Sequence, residues 1–281
     1  MSVSIPHLSH PKPTRTIVSR PAKVPRATTM HLNAIREVSI VSLAIFLYFF
    51  VRGLMHSKAS LAEEHARWLV DFERWLGIFH EPAIQKWTLE QDWLVRVVNS
   101  IYIYGHWPVL VSTLVWLLWK RRDLFPVYRS ALLISGAIGL VVFVTFPMAP
   151  PRFLPDLGFV DTVTLHTNAY RVLQPPSFTN QYAAMPSLHV GWNLLMGIAI
   201  FTSTRHRFWR AFAIVMPLAM YLATILTANH YILDGIVGSL VALTGLAIAW
   251  RISGPAADTA ATPRPEPVPV PVAFEEGKHA A

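Results

Sequence analysis

Hydrophobic residues in this chain fall into long, nearly unbroken runs separated by short polar stretches. Six runs are candidate membrane spans: Ala34 to Met55, Trp93 to Trp119, Ser130 to Pro147, Pro186 to Phe201, Phe208 to Thr227 and Tyr231 to Trp250. A helix needs about 20 residues to cross ~30 Å of hydrocarbon, and the runs approach or exceed that length. The ten-residue alternation of a closed β-barrel is missing, so the backbone polar groups must be satisfied within helices. The pattern predicts an all-α fold, a polytopic bundle of six transmembrane helices.

Between the first two runs the period changes. Ser60-Leu61-Ala62-Glu63 has capping-box spacing, Gly77 is a natural stop, and Leu61, Trp68, Leu69, Phe72, Trp75 and Leu76 recur at helical spacing. An amphipathic helix lying in the membrane interface is predicted there, with Trp68, Trp75, Trp87 and Trp93 available for an aromatic belt. Residues 1–33 are basic and proline-rich without a single acid, and residues 252–281 are a Pro/Ala/Glu mixture, so both tails are expected to be disordered around a membrane domain at 34–251. The first run is read as a retained anchor, because Ser57-Lys58-Ala59 is a poor cleavage site and a long proline-rich leader precedes it.

Composition agrees with a lipid environment. Of 281 residues, 53% are hydrophobic and 14% charged, with a mean hydropathy of +0.40. The net charge of +8 does not point to nucleic acid, because the basic residues sit in tails and short loops, where topology accounts for them. With the N-terminal tail cytoplasmic, six spans bring Lys120-Arg121-Arg122, Arg205-His206-Arg207 and Arg251 to the same side. Both termini are then cytoplasmic in a cell-membrane protein. The loop from Met148 to Met185, carrying only Arg152 and Arg171, faces outward with the turn at Asn229 and His230. The absence of cysteine excludes disulfides, Cys-ligated zinc and thiol nucleophiles.

Two polar clusters open apolar runs on that outer side: Met185-Pro186-Ser187-Leu188-His189 and Asn229-His230-Tyr231-Ile232-Leu233-Asp234. Ionisable groups at such places cost at least ~2.5 kcal/mol unpaired, which asks for a functional reason. Pro186 suits a first helical turn, leaving the amides of Ser187, Leu188 and His189 to face an anion. Asn229 can cap a helix starting at His230, and i,i+4 spacing sets the Asp234 carboxylate on the face of His230. A histidine oriented by a carboxylate is a better nucleophile or base, and His189 from another helix can serve as the acid for a leaving group. Arg152 supplies a forked cation for phosphate oxygens, with Tyr182, Ser187 and Asn229 as supporting or capping groups around it.

The order Pro-Arg, Pro-Ser-Leu-His, His-x-x-x-Asp resembles the type 2 phosphatidic acid phosphatase superfamily. Pro-Met-Ala-Pro-Pro-Arg and Ala-Asn-His-Tyr-Ile-Leu-Asp look most like its inositol phosphorylceramide synthase branch, over roughly Tyr104 to Trp250. The resemblance implies a six-helix core in which His230 attacks phosphorus to give a phosphohistidine, Asp234 supports it and His189 protonates the departing alcohol. Water or a second alcohol then resolves the intermediate. It implies no cofactor and no metal, and a membrane lipid with a phosphate or phosphodiester headgroup as partner. The chain departs from the phosphatase pattern in three places. Phe153 follows Arg152 and no Lys lies in the preceding span, Ala223 and Thr224 stand where a Ser-Arg pair is usual, and Leu188 replaces Gly. Fewer cations fit a phosphodiester headgroup or a transferase at least as well as hydrolysis of a soluble phosphate.

Other residues carry less. His106, beside Tyr102 and Tyr104, reads as an interhelical hydrogen-bonding residue, and Asp161 and His166 are uninformative. Two further function classes stand beside the phosphoryl-transfer reading. One is a transporter or lipid carrier, for which internal repeats or helices broken at mid-membrane are expected. The other is a metal site built from His189, His230 and Asp234. The residues do not choose among lipids, between water and an alcohol as acceptor, or between oligomeric states.

Overall fold

The computed structural model describes residues 59–166 and 181–253, together with 35, 38–44 and 46. The chain divides into two units, Met1–Ser39 and Ile40–Ala281, and of the first only positions 35, 38 and 39 are described. The second unit carries α1 (Ala59–Trp75), α2 (Glu81–Leu89), α3 (Asp92–Tyr104), α4 (Trp107–Lys120) and α5 (Phe125–Thr145). Two 3₁₀ turns (Pro151–Phe153 and Pro155–Leu157) and the short α6 (Thr162–His166) lead to α7 (Leu188–Ser203), α8 (Arg207–Leu226) and α9 (Ile232–Ser253). Among the described residues the one strand-like feature is a parallel bridge between Met148 and Ala183.

Three of these helices, α5, α8 and α9, are long and apolar enough to cross a membrane. The expected span Trp93 to Trp119 is instead a broken pair, α3 and α4, bent by 43°. The break has a local cause: Gly105 caps α3, and Pro108, in the first turn of α4, cannot donate an amide back into a continuous helix. The run from Pro186 yields a helix of 16 residues, starting at Leu188 and shorter than a full span. The expected span Ala34 to Met55 and both tails lie largely outside the described residues.

Helix α1 ends where expected. Gly77 takes a φ of +71°, its amide bonds to Arg74 O and that of Ile78 to Glu73 O, which is a Schellman closure. Its buried face is not the aromatic one. Ala62, Ala66, Leu69, Val70 and Glu73 face inward, whereas Trp68, Phe72 and Trp75 stack on one another outside, Trp75 at 77% exposure. Alanines at i and i+4, Ala62 and Ala66, let the helix approach the core closely.

The core is built where α9 packs against α5 and α7, and α7 against α8. Close approach depends on small residues. A Cβ on Gly191 of α7 would meet Gly238 O of α9 at 2.4 Å, so backbone touches backbone there. In α8, Pro217 has no amide to give to Ala213 O, and Gly197 of α7 fills the place beside that carbonyl. Ser135, a buried polar residue of this core, is paired: its Oγ donates to Ala131 O at 2.7 Å and accepts from Trp192 Nε1 at 3.1 Å.

Candidate active site

The turn between α8 and α9 builds the centre of the site. It closes α8 with a second Schellman pattern, Asn229 N–H to Thr224 O and Ala228 N–H to Ile225 O, with Ala228 in the left-handed region at φ +53°. An alanine there costs about 1–2 kcal/mol relative to helical backbone. Helix α9 then starts at Ile232, two residues later than the sequence suggests. Asn229 does not cap it. Its Nδ2 bonds to Thr227 Oγ1 at 2.8 Å, and three carboxylates take the orphan amides instead. Asp234 accepts from Tyr231 N–H at 2.9 Å, Glu81 from Ile232 N–H at 3.0 Å and Glu73 from Leu233 N–H at 2.9 Å.

His230 is buried and held by its Nδ1. Ala184 O lies 2.8 Å from that nitrogen and Asp234 Oδ2 lies 3.4 Å from it. A carbonyl oxygen only accepts, so Nδ1 carries a hydrogen, and in the neutral ring the lone pair is on Nε2. The shorter bond is therefore to the backbone, and the carboxylate is a second, longer partner at the same nitrogen. Ala184 is held in turn by a strap: Met148 N–H donates to Tyr182 O at 2.9 Å and Ala184 N–H to Met148 O at 3.1 Å.

His189, in the first turn of α7, lies with its ring centroid 5.9 Å from that of His230. It stacks on Tyr102 at 4.9 Å and sits 4.4 Å from the His106 ring. His106 Nδ1 is 3.1 Å from Asn193 Nδ2, which also donates to His189 O, so the expected interhelical bond joins the residue to this histidine row. The Ser187 amide does not await an anion: it donates to Asp234 O at 2.9 Å, because Gly238 brings the two chains together. Its Oγ is fully buried and makes no hydrogen bond.

Arg152 is tied to the same turn from the other side. Its backbone amide donates to Ala228 O at 2.9 Å, its Nη1 to Asn229 Oδ1, and its Nε lies 3.6 Å from Asp161 Oδ2. Asp161, uninformative in sequence, is thus part of the cation's setting. A cavity of about 410 Å³ opens beside Arg152 and Tyr182, with Ala149, Phe153 and Pro155 in its wall. The histidines do not line it. His166 has a helical backbone, and its side chain lies outside the described residues. Among the described residues no three His, Asp or Glu side chains are grouped to hold a metal ion, His189, His230 and Asp234 included.

Sequence reasoning missed Glu73 and Glu81. Both are fully buried, and one oxygen of each makes no hydrogen bond. A signal existed for Glu73, which continues the i, i+4, i+7, i+11 row of Ala62, Ala66 and Leu69; Glu81 announces itself only through the helix-starting Glu-Pro pair. The assembled arrangement offers one imidazole held at Nδ1, a second imidazole beside it, a buried carboxylate behind the first and a guanidinium bonded to the neighbouring Asn229. Such a set can exchange a proton and hold an anion.

No curated protein and no solved structure matches the chain. A family model does, that of the PAP2 superfamily, over residues 67–248, a range that holds every residue of the histidine turn, the Arg152 turn and the buried carboxylates. With well over half of its length matched, the chain belongs to the PAP2 superfamily.

Proposed function

We propose that this protein is an integral membrane phosphatase or headgroup phosphotransferase for lipid phosphates, acting through a phosphohistidine on His230. The observation that carries this reading is the Nδ1–H bond from His230 to Ala184 O, which leaves Nε2 with the lone pair, beside the His189 ring. In the forward step Nε2 forms a bond to phosphorus and the bond to the leaving oxygen breaks, with a proton passing from His189 to that oxygen. In the second step water or an alcohol gives its proton to His189, its oxygen bonds to phosphorus and the P–N bond breaks. The charge of Asp234, 3.4 Å from Nδ1, favours the imidazolium character that develops during attack. Arg152, with Tyr182 beside it, meets the phosphoryl oxygens, while Asn229 holds the guanidinium and Ser187 ties the start of α7 to Asp234.

The finer reading places the chain in the inositol phosphorylceramide synthase-like branch, with six spans, the site at the outer face of the cell membrane and an alcohol as a possible acceptor. The thin set of cations supports a diester or transferase chemistry, and the exposed Trp68, Phe72 and Trp75 support an interfacial position for α1. The test compares two substrates. His189→Ala should slow a lipid phosphate with an alkyl leaving group far more than an activated aryl phosphate, whose oxygen departs without a proton, while His230→Ala loses both. A phosphoenzyme trapped by acid-free quench should be present in wild type and absent in His230→Ala. Near-normal turnover in His230→Ala sinks the mechanism.

A further inference from the structure

Behind the histidine turn lie two carboxyls that the mechanism does not use. Glu73 of α1 and Glu81 of α2 are both at 0% exposure, and each spends one oxygen on a first-turn amide of α9. The carboxyls lie within hydrogen-bond reach of each other. Their second oxygens, Asp234 Oδ1 and the Tyr231 hydroxyl are all buried without hydrogen bonds to other groups. The groups facing them are Asp234 of α9 with His230 beyond it, Tyr231 in the turn and Tyr221 of α8, whose hydroxyl donates to Ile232 O at 2.8 Å. The nearby cations are engaged elsewhere: Arg67 pairs with Glu63 and Asp156, and Arg74 with Asp71.

Two carboxylates in contact, out of water and next to a third, cannot both be ionised at modest cost. One proton held between them solves the problem and keeps both acceptor oxygens on the α9 amides. We propose that Glu73 and Glu81 are a proton-sharing pair that positions His230: with the proton in place they clamp Ile232 and Leu233, and without it they repel each other and release the turn. The inference rests on the proposed role of His230, but the clamp itself can be read without any reaction.

The pH direction follows from the burial of Glu73, which pushes its carboxyl from an ordinary 4.5 up to about 9, the adjoining Glu81 adding to the effect. Glu73 thus binds its proton more tightly folded than unfolded. The stability this gives is complete below the ordinary value of 4.5 and is lost as pH rises through about 9. The clamp should hold at neutral pH and open on the alkaline side.

The test uses the full chain in detergent micelles or vesicles. Glu73→Gln keeps an acceptor for the Leu233 amide and gives Glu81 a permanent donor, so it reproduces the one-proton state. It should retain neutral-pH kcat on a lipid phosphate and lose the alkaline limb near pH 9. Glu73→Ala should raise hydrogen exchange at Leu233 and its neighbours by about tenfold or more and lower kcat. In wild-type protein, the carboxylic C=O band in the infrared should titrate with the same midpoint, and it should be missing in Glu73→Gln. Wild-type exchange at Leu233 in Glu73→Ala overturns the clamp. An unmoved alkaline limb in Glu73→Gln, or a wild-type infrared spectrum without a titrating carboxylic acid, overturns the shared proton. Turnover absent on every lipid phosphate overturns the proposed function instead, and the exchange and infrared results still decide the pair.

Discussion

A single methyl group at Gly238 should push α9 away from the segment that leads into His189. Its ideal Cβ would stand 2.1 Å from Ser187 O and 2.8 Å from Ser187 C. Packed C···O contacts are ordinarily about 3.3 Å or longer, so roughly 1 Å of separation must be found. Both obstructing atoms are backbone, and no rotamer change relieves them. The displaced segment is the one whose Ser187 amide bonds to Asp234 O, two residues before His189. A 1 Å misplacement of catalytic groups costs about 10²-fold in rate, equivalent to ~2.7 kcal/mol of barrier. Overpacking itself costs about 1–3 kcal/mol of stability. Gly238→Ala is therefore expected to lose kcat about a hundredfold, measured on a lipid phosphate alongside the thermal midpoint in detergent. Gly245→Ala is the comparison. Its Cβ would meet Ala131 O at 2.8 Å, further along α9, so it should lose stability while largely keeping kcat. Wild-type kcat in Gly238→Ala, or an equal kcat loss in Gly245→Ala, would refute the reasoning.

Asp234→Asn keeps an oxygen for the Tyr231 amide and leaves the His230 bond to Ala184 O in place, so the fold should persist. Its turnover should fall by up to about 10⁴-fold through loss of the charge behind Nδ1, and near-normal turnover would show that the backbone carbonyl alone orients His230. Sidedness can be read by labelling in this cysteine-free chain: Cys at Tyr182 should react with an impermeant thiol reagent from outside, and Cys at Arg121 should not. Reversed labelling puts the site in the cytoplasm. Asn229, at 2% exposure, is too buried to serve as the reporter.

The sequence by itself determined the all-helical class and the approximate limits of α5, α8 and α9, because an apolar run of that length has one way to satisfy its backbone in lipid. It also singled out His189, His230, Asp234 and Arg152, which the fold brings to one turn, since the i,i+4 pair of His230 and Asp234 is local geometry. It found the amphipathic pattern of α1 but not the residues that meet the core, because periodicity reports which residues are apolar and not which face packs inward. The packing put alanines inward and Trp68 and Trp75 outward. The bend between α3 and α4 was written in Gly105 and Pro108, but its direction, which brings His106 beside His189, depends on what packs against it. Only the tertiary structure could supply the bond from His230 to Ala184 O, 46 positions away, and the carboxyl of Glu73 on the amide of Leu233, 160 positions away. No local pattern encodes such pairings. They arise because buried donors and acceptors must find partners, and the nearest partner in space is set by how the helices pack.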